Sequence, residues 1–344
     1  MSRPRVAVVG ATGAVGPIVL EVLHERGFPA AEVVAFASAR SAGTRVAFAG
    51  EQLEVRELTA DALEGFDLAL FSAGGGTSKR YAPEAVARGC VVIDKSSAFR
   101  MDAGVPLVVP EVNPEAADGH RGIVSNPNCS TIQLVAALKP LHDAAGLTHV
   151  TVATYQAVSG TGAAAIEELR SQSQTVLAGE PAVPSVYPHQ IAFNVLPQCE
   201  VFDGSSTLEE TKLVHETHKI LGDSEIGIST TCVRVPVWRG HSEAVWIETR
   251  EPLGADRARE LLHRAPGVRV VDDPAGGAYP LPSAAVGTDD VLVGRIRDDV
   301  TRRNGLSLWV VADNLRKGAA TNGVQIAELL VERGLVRVPD RAAA

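Results

Sequence analysis

The stretch "NPNCSTIQLV", residues 126–135, sets Cys129 between Asn128 and Ser130. An apolar helical pattern follows, so the thiol falls in the first turn of a helix. There the helix dipole favours an anion and lowers a thiol's pKa. The same exposed backbone N–H groups suit a developing oxyanion. Pro127 restricts the residue before it and stiffens the loop. A cysteine so placed is a packing residue or a nucleophile. The other three thiols lack the setting: Cys90 begins a buried strand, Cys232 lies inside one, and Cys199 sits in a loop. All three read as packing residues. Their spacing fits no zinc pattern, the nine histidines are scattered, and no metal site or disulfide frame is expected.

A second chemical pattern lies near the start. "GATGAVG" places Gly10, Gly13 and Gly16, with Thr12, Ala14 and Val15 between them, directly after a first strand and at the opening of a helix. Small residues there let backbone N–H groups approach a pyrophosphate at the positive helix end. The spacing is GxxGxxG rather than GxGxxG, so its position at the first strand–helix turn carries the nucleotide reading. NAD-binding folds usually end the second strand with an acid that bonds the ribose 2′-hydroxyl. Here the strand ends "FASARSAG", with Ser38, Arg40, Ser41 and Thr44 instead. A guanidinium and hydroxyls suit a 2′-phosphate, which points to NADP. "SAGGGTSK" follows the third strand, and the backbone of Ser72, Ala73, Gly74 and Gly75 is placed to cover the nicotinamide half or the phosphates. A thiolate beside a nicotinamide suggests one chemistry. It attacks a carbonyl carbon, and a hydride passes between that carbon and the nicotinamide, linking a hemithioacetal to a thioester.

The elements that must position these groups read as two domains. The chain has 344 residues, 45% hydrophobic and 21% charged, enough for two real cores. A net charge of −9 and a pI of about 5.5 argue against a sequence-independent grip on nucleic acid. No apolar run reaches the roughly 18 residues of a membrane span. The chain opens on a strand pattern where a signal peptide would need an apolar core, so a cytoplasmic protein is expected. Over residues 1–125 strands alternate with helices: "RVAVVG", the helix "AVGPIVLEVLHERG", "AEVVAFAS", "FDLALFSA", the helix "SKRYAPEAVARG", then "CVVIDKSS". That order implies a doubly wound (Rossmann) parallel sheet. After Cys129 come a helix to about His142, the long strand "THVTVATYQAVSG", a helix over 161–178, a Pro-rich loop, and the helix "TLEETKLVHETHKIL". The strands "IGISTTCVRVP" and "SEAVWIETR" follow, then a hairpin, "DVLVGRIRDD" and "GLSLWVVADN", turning at "RRNG". Paired strands imply a mixed sheet in an α+β second domain. "RKGAATNGVQIAELLVERG" reads as a closing helix and "VPDRAAA" as a mobile tail.

Taken in order, "GATGAVG", "FSAGGGTSK", "SSAFRM", "VVPEVN", "NPNCSTIQ", "YQAVSGTG", "EETK", "RVPVWRGHSE" and "DNLRKGAA" resemble the aspartate-semialdehyde dehydrogenase family from one end of the chain to the other. The resemblance implies NADPH-dependent reduction of aspartyl phosphate to aspartate semialdehyde with release of phosphate, the branch step towards lysine through diaminopimelate, threonine and methionine. It implies Cys129 as the nucleophile, Gln156 orienting the acyl group, and His241 as the acid–base group, its pKa needing little tuning near neutral pH. Gln156 as a strand amide tied to backbone is the plain alternative. Arg234 would grip the substrate carboxylate by a two-pronged bond. Arg239 is nearer His241, and residue type alone leaves the two even; the family spacing favours Arg234. Glu209 would face the substrate ammonium and Lys212, one turn on, the phosphate, where a solvated ion pair is the ordinary reading. Arg100 and Asn128 complete the phosphate site. Ser159, Gly160 and Gly162 fall to the cofactor, and Asn314 lies near its nicotinamide. The resemblance also implies a homodimer joined through the second domain's sheet, and a cofactor domain of residues 1–127 and 318–344 around a catalytic domain of 128–317. The loop 179–200 is a segment where members differ. An N-acetyl-glutamyl-phosphate reductase would leave Glu209 without a cation to meet. A non-catalytic NADP-binding protein would leave Cys129 unreactive.

Overall fold

The computed structural model describes residues 3–338. The chain divides into two compact units, one up to Pro127 joined by the chain from Ala319 on, the other Asn128–Gly318.

In the first unit the strands are β1 (Arg5–Val9), β2 (Glu32–Ala37), β3 (Arg45–Phe48), β4 (Glu51–Glu54), β5 (Arg56–Glu57), β6 (Leu68–Phe71), β7 (Val91–Asp94) and β8 (Ile123–Ser125). Six of them form one all-parallel sheet in the order β5-β2-β1-β6-β7-β8. The short apolar runs at β1, β6 and β7 are buried along almost their whole length, as strands covered on both faces must be. The sheet reverses direction between β1 and β6, which is where doubly wound sheets place a ligand. Helix α1 (Gly16–Glu25) and helix α2 (Gly75–Ala87) follow β1 and β6. A C-terminal helix, Asn322–Glu332, joins the same unit.

In the second unit, α3 (Cys129–Ala145) leads into β9 (Leu147–Gln156), then α4 (Ala163–Leu177). A two-stranded hairpin of β10 (Phe202–Asp203) and β11 (Ser206–Thr207) precedes α5 (Leu208–Leu221), whose start is fixed by a capping box between Thr207 and Glu210. Then come β12 (Gly227–Arg234), β13 (His241–Thr249), α6 (Ala255–Arg264), β14 (Val268–Val270), β15 (Val291–Asp299) and β16 (Gly305–Ala312). The sheet order is β12-β9-β13-β16-β15-β14; the β12–β9 and β14–β15 pairs are parallel and the rest antiparallel. One core joins Leu134, Leu138 and Leu141 of α3, Leu213 of α5 and Leu262 of α6 to Val152, Val245, Ile247 and Val310 of the sheet. Each such side chain contributes about 2 kcal/mol by leaving water. On β13 the residues His241, Glu243, Val245, Ile247 and Thr249 share the buried face, while Trp246 points outward and is exposed.

The mixed second sheet and the parallel first sheet match the expected fold class. Several elements differ from expectation. Strand β8 is three residues long; α6 is a ten-residue, largely charged helix with Ala255, Ala258, Leu261 and Leu262 at helical spacing, a period the sequence reading does not use. Strands β3 to β5 and β14 run two to four residues. The long strand stops at Gln156, and "VSGT" is a 3₁₀ turn, Val158–Thr161. Helix α2 starts at Gly75 rather than in the SKR segment. The closing helix is broken: a π-turn at Arg316–Thr321 precedes its regular part. From Pro339 on, the expected tail lies outside the described residues.

Candidate active site

In the first unit, the glycine loop behaves as its sequence demands. Gly10 has φ +83°, and a Cβ on it would stand 2.6 Å from the carbonyl oxygen of Ser72. Gly16 opens α1 packed against the backbone of Gly10 and Ala11, with no room for a side chain. Neither α1 nor α2 carries a side-chain cap at its N-terminus, so both present backbone N–H groups. A cavity of about 690 Å³ is lined by Gly10, Thr12, Gly13, Ser38, Arg40, Ser41, Ser72 and Ala73. Val15 and Gly16 begin α1, with Ala14 just before them, and Gly74 and Gly75 begin α2. Thr44 donates its hydroxyl to the Ser41 carbonyl at 2.6 Å and holds that turn. Thr77, Arg80, Tyr81 and Glu57 also line the cavity; sequence reasoning missed them. The Arg80 guanidinium stacks over the Tyr81 ring at 4.9 Å, and both stand on the first turns of the helix that follows the glycines, which was the available signal. Arg100 also belongs to this unit. Its guanidinium donates to the carbonyls of Asn126 (3.0 Å) and Lys95 (2.6 Å) and is buried.

In the second unit, Cys129 is the first residue of α3 and is half-buried. Asn128 is the cap: its Oδ1 accepts from the N–H of Ser130 at 2.9 Å and of Thr131 at 3.4 Å. Its Nδ2 donates to Glu209 Oε1 at 2.9 Å. Gln156, the last residue of β9, donates Nε2 towards Ser130 Oγ (3.0 Å) and Glu209 Oε1 (3.1 Å). Its amide therefore meets side chains rather than backbone. Register pairs Gln156 with Arg234 across β9 and β12. Arg234 is 5% exposed and donates Nη1 to the Ala157 carbonyl at 2.9 Å, while its buried Nε has no protein partner. Cys129, Asn128, Gln156, Gly160, Glu209 and Arg234 line one cavity of about 730 Å³.

His241 is fully buried beside this cavity, against Gly160. Its Nδ1 accepts the N–H of Ala157 at 3.0 Å. That bond leaves the proton of the neutral ring on Nε2, and Nε2 has no protein partner. Burial, and after it the positive charge of Arg234, hold the imidazole well below its ordinary value of 6.5. This corrects the expectation of a histidine needing little tuning: the sequence does not show that the ring is sealed from water next to a guanidinium.

Lys212, expected to face the phosphate, is paired with carboxylates: its Nζ sits 2.5 Å from Glu200 and 3.9 Å from Glu209, so its nearer partner comes from the 179–200 loop and not from its own helix. Arg239 is bound to buried Asp313, Nε to Oδ1 at 2.8 Å and Nη2 to Oδ2 at 2.7 Å, away from the residues lining the cavity. Ser159 and Asn314 hydrogen-bond each other, and Asn314 Oδ1 accepts the Gly240 N–H at 2.9 Å, tying down the loop that delivers His241. Gly162, φ +110°, joins the 3₁₀ turn to α4. The remaining cysteines are buried, and burial pushes the thiols of Cys90 and Cys199 up to about 12 and that of Cys232 higher still. Among the described residues no three His, Cys, Asp or Glu side chains converge as metal ligands, and no helix is long and apolar enough to cross a membrane.

Comparison with known proteins matches two segments of the chain. Residues 5–120 match the family model of the semialdehyde dehydrogenase NAD binding domain, and residues 138–317 that of the semialdehyde dehydrogenase dimerisation domain. The aspartate-semialdehyde dehydrogenase of Aquifex aeolicus is 55% identical, over 96% of this chain and 99% of its own. The crystal structure of aspartate semialdehyde dehydrogenase II from Vibrio cholerae, complexed with ASA, superposes with a TM-score of 0.93 at 48% identity, covering 96% of this chain and 99% of that one. That of the Candida albicans enzyme with NADP gives 0.75 at 26% identity, covering 97% and 100%.

Proposed function

Because the chain belongs to the aspartate-semialdehyde dehydrogenase family, we propose that it interconverts L-aspartyl 4-phosphate and L-aspartate 4-semialdehyde plus phosphate through a thioester on Cys129, with NADP as the dinucleotide. One observation carries the reading. A thiol at a helix N-terminus, a buried imidazole and a guanidinium gather with a carboxylate around one cavity of the second unit.

The roles follow from charge. Arg234, with one guanidinium edge unpaired, holds the substrate α-carboxylate. Glu209 meets the ammonium, and the Asn128 and Gln156 amides that now bond it keep its carboxylate aimed. Asn128 and Lys212 take the phosphoryl group. Cys129 attacks the acyl carbon; the C–O bond to phosphate breaks and phosphate leaves with the electron pair. NADPH, when bound, supplies the hydride that reduces the thioester carbon. As the imidazolium, His241 gives its Nε2 proton to the oxygen as the hemithioacetal forms, and the ring left neutral takes it back as the aldehyde and the thiolate part; Nδ1 then carries the other proton and its bond from the Ala157 N–H opens. The anionic substrate offsets Arg234 and so raises the imidazole towards the pKa this exchange needs.

The first unit fits the dinucleotide. At Gly10 and Gly16 a Cβ would collide with the backbone of Ser72, Gly10 and Ala11, so only glycine lets the loop fold this tightly at the start of α1. Arg40, Ser38 and Ser41 stand where a 2′-phosphate would sit, and Arg80 adds a second cation against the one acid, Glu57. A homodimer suits the outer face of the second sheet, where Trp246, Tyr279, Leu281 and Trp309 line an apolar hollow. The test is phosphate-dependent oxidation of aspartate semialdehyde, followed with NADP and with NAD, and with N-acetylglutamate semialdehyde as rival substrate. Turnover on aspartate semialdehyde should vanish in Cys129→Ala while NADP still binds. Normal turnover in that variant removes the scheme.

A further inference from the structure

We infer that Glu216 is a positioning residue for the nucleophile: its buried carboxylate fixes the peptide that ends in Cys129, with Glu209 as the second jaw of a clamp on Asn128. The inference rests on the thiol reading above.

The helix period of α5 calls for apolar side chains at 209, 213, 216 and 220, all four of which are buried. Leu213 and Ile220 comply. Positions 209 and 216 carry glutamates, 5% and 1% exposed. Burying a carboxylate costs several kcal/mol unless it is well bonded, so each must have a specific use. Glu216 Oε2 accepts the backbone N–H of Asn128 at 2.7 Å. Glu209 Oε1 accepts the Asn128 side-chain Nδ2 at 2.9 Å. Asn128 Oδ1 in turn accepts the first free N–H groups of α3. Asn128 is thus held at its peptide, its amide nitrogen and its amide oxygen, one residue before the thiol. Two carboxylates on one helix face set the direction in which α3 begins, and with it where the Cys129 sulfur stands. The short bond to Glu216 is charge-assisted, the stronger kind. It grips the main chain, so the substrate cannot compete for it as it can for Glu209.

Two variants separate reach from charge. Glu216→Gln keeps an acceptor oxygen at the same distance and loses the charge. Glu216→Asp keeps the charge and withdraws the oxygen by one methylene. The readouts are kcat for aldehyde oxidation, KM for NADP, and the limiting rate of Cys129 alkylation by iodoacetamide at high pH, where the thiol is fully ionised and only its placement matters. We expect Glu216→Gln to stay within about tenfold of the parent. Glu216→Asp should lose roughly 100-fold in kcat, the scale of a misplacement of about 1 Å, and lose alkylation rate with it, at an NADP KM within about twofold. A Glu216→Asp protein with parental kcat and alkylation rate overturns the inference. So does the reverse order, Gln low and Asp high, which would make the charge decisive. Should Glu216→Asp fail to fold, Asn128→Gly, which keeps the peptide N–H but frees the side chain, must still retain faster alkylation than Asn128→Pro, which deletes that N–H; equal rates refute the clamp. A parent Cys129 that resists iodoacetamide would instead defeat the thiol reading itself.

Discussion

Gly318 packs directly on the nucleophile. A Cβ built on Gly318 would stand 2.9 Å from Cβ of Cys129 and 3.3 Å from its Cα. Both partners are backbone or first side-chain atoms, so neither can swing aside. The first prediction follows. Gly318→Ala should push the start of α3 and lower kcat by roughly 10- to 100-fold, with little change in KM for NADP. Steady-state kinetics decide it; a variant at parental kcat means the two segments yield more than their packing suggests.

Gly160 stands in the same relation to the acid–base pair. Its missing Cβ would lie 3.0 Å from Arg234 Nη1 and 3.2 Å from both Cε1 and Nε2 of His241. Gly160→Ala should therefore displace the imidazole and guanidinium together. The expected outcome is a fall in kcat and a rise in KM for the aldehyde. In the parent, the ionisation of His241 in the free enzyme should appear below its ordinary 6.5 because burial and Arg234 both disfavour the charged ring. Proton NMR of the His241 ring in the free protein should place its titration midpoint below 6.5; a midpoint at or above 6.5 refutes the assignment.

The thiol, the glycine loop and the alternation of strands were legible because each depends on neighbours within a few residues. Asn128 as helix cap and Cys129 in the first turn are local facts of one decapeptide. The Glu216 bond spans 88 residues and the Gly318 contact more, and no period along the chain encodes either. The two glutamates on the buried face of α5 did break a readable pattern, and that break was the signal left unused. His241 was legible as a candidate but not as a sealed one, since burial belongs to the sheet and to Gly160 rather than to "RGHSE". Lys212 shows the converse: an i,i+3 partner was at hand, and an irregular loop supplied a better one.

Arg234 and Arg239 were even by residue type, and their surroundings give them different expected failures. Arg234→Lys keeps a charge but loses the fork and the bond to Ala157, so KM for aspartate semialdehyde should rise at least tenfold while the melting temperature moves little. Arg239→Ala leaves Asp313, which is fully buried, without its guanidinium. Three backbone N–H groups still bind that carboxylate, so the loss should be about 2 kcal/mol of stability, read by urea unfolding. Finding the stability loss in the Arg234 variant and the KM effect in the other would exchange the roles.

Glu243 makes a prediction of opposite sign to its neighbour. It lies two residues from His241 on the same buried face of β13, fully buried, with both carboxyl oxygens lacking a protein hydrogen bond by geometry. Burial raises its carboxyl well above the ordinary 4.5, eased by the nearby Gln133 amide. The folded chain keeps that proton where the unfolded chain releases it. Its contribution is complete below 4.5 and is lost as pH rises through the window up to the raised folded value. His241 does the reverse: the unfolded ring binds a proton below 6.5 that the folded ring refuses, so its contribution is complete above 6.5 and is lost as pH falls. Glu243→Gln removes the first slope and leaves the second. The melting temperature of the variant, relative to the parent, should climb as pH rises from 4.5 towards the raised folded value, because only the parent continues to lose stability from this site as alkali is added. Thermal scans across that range measure it, and a gap that does not change with pH would mean that the folded chain holds no proton at Glu243.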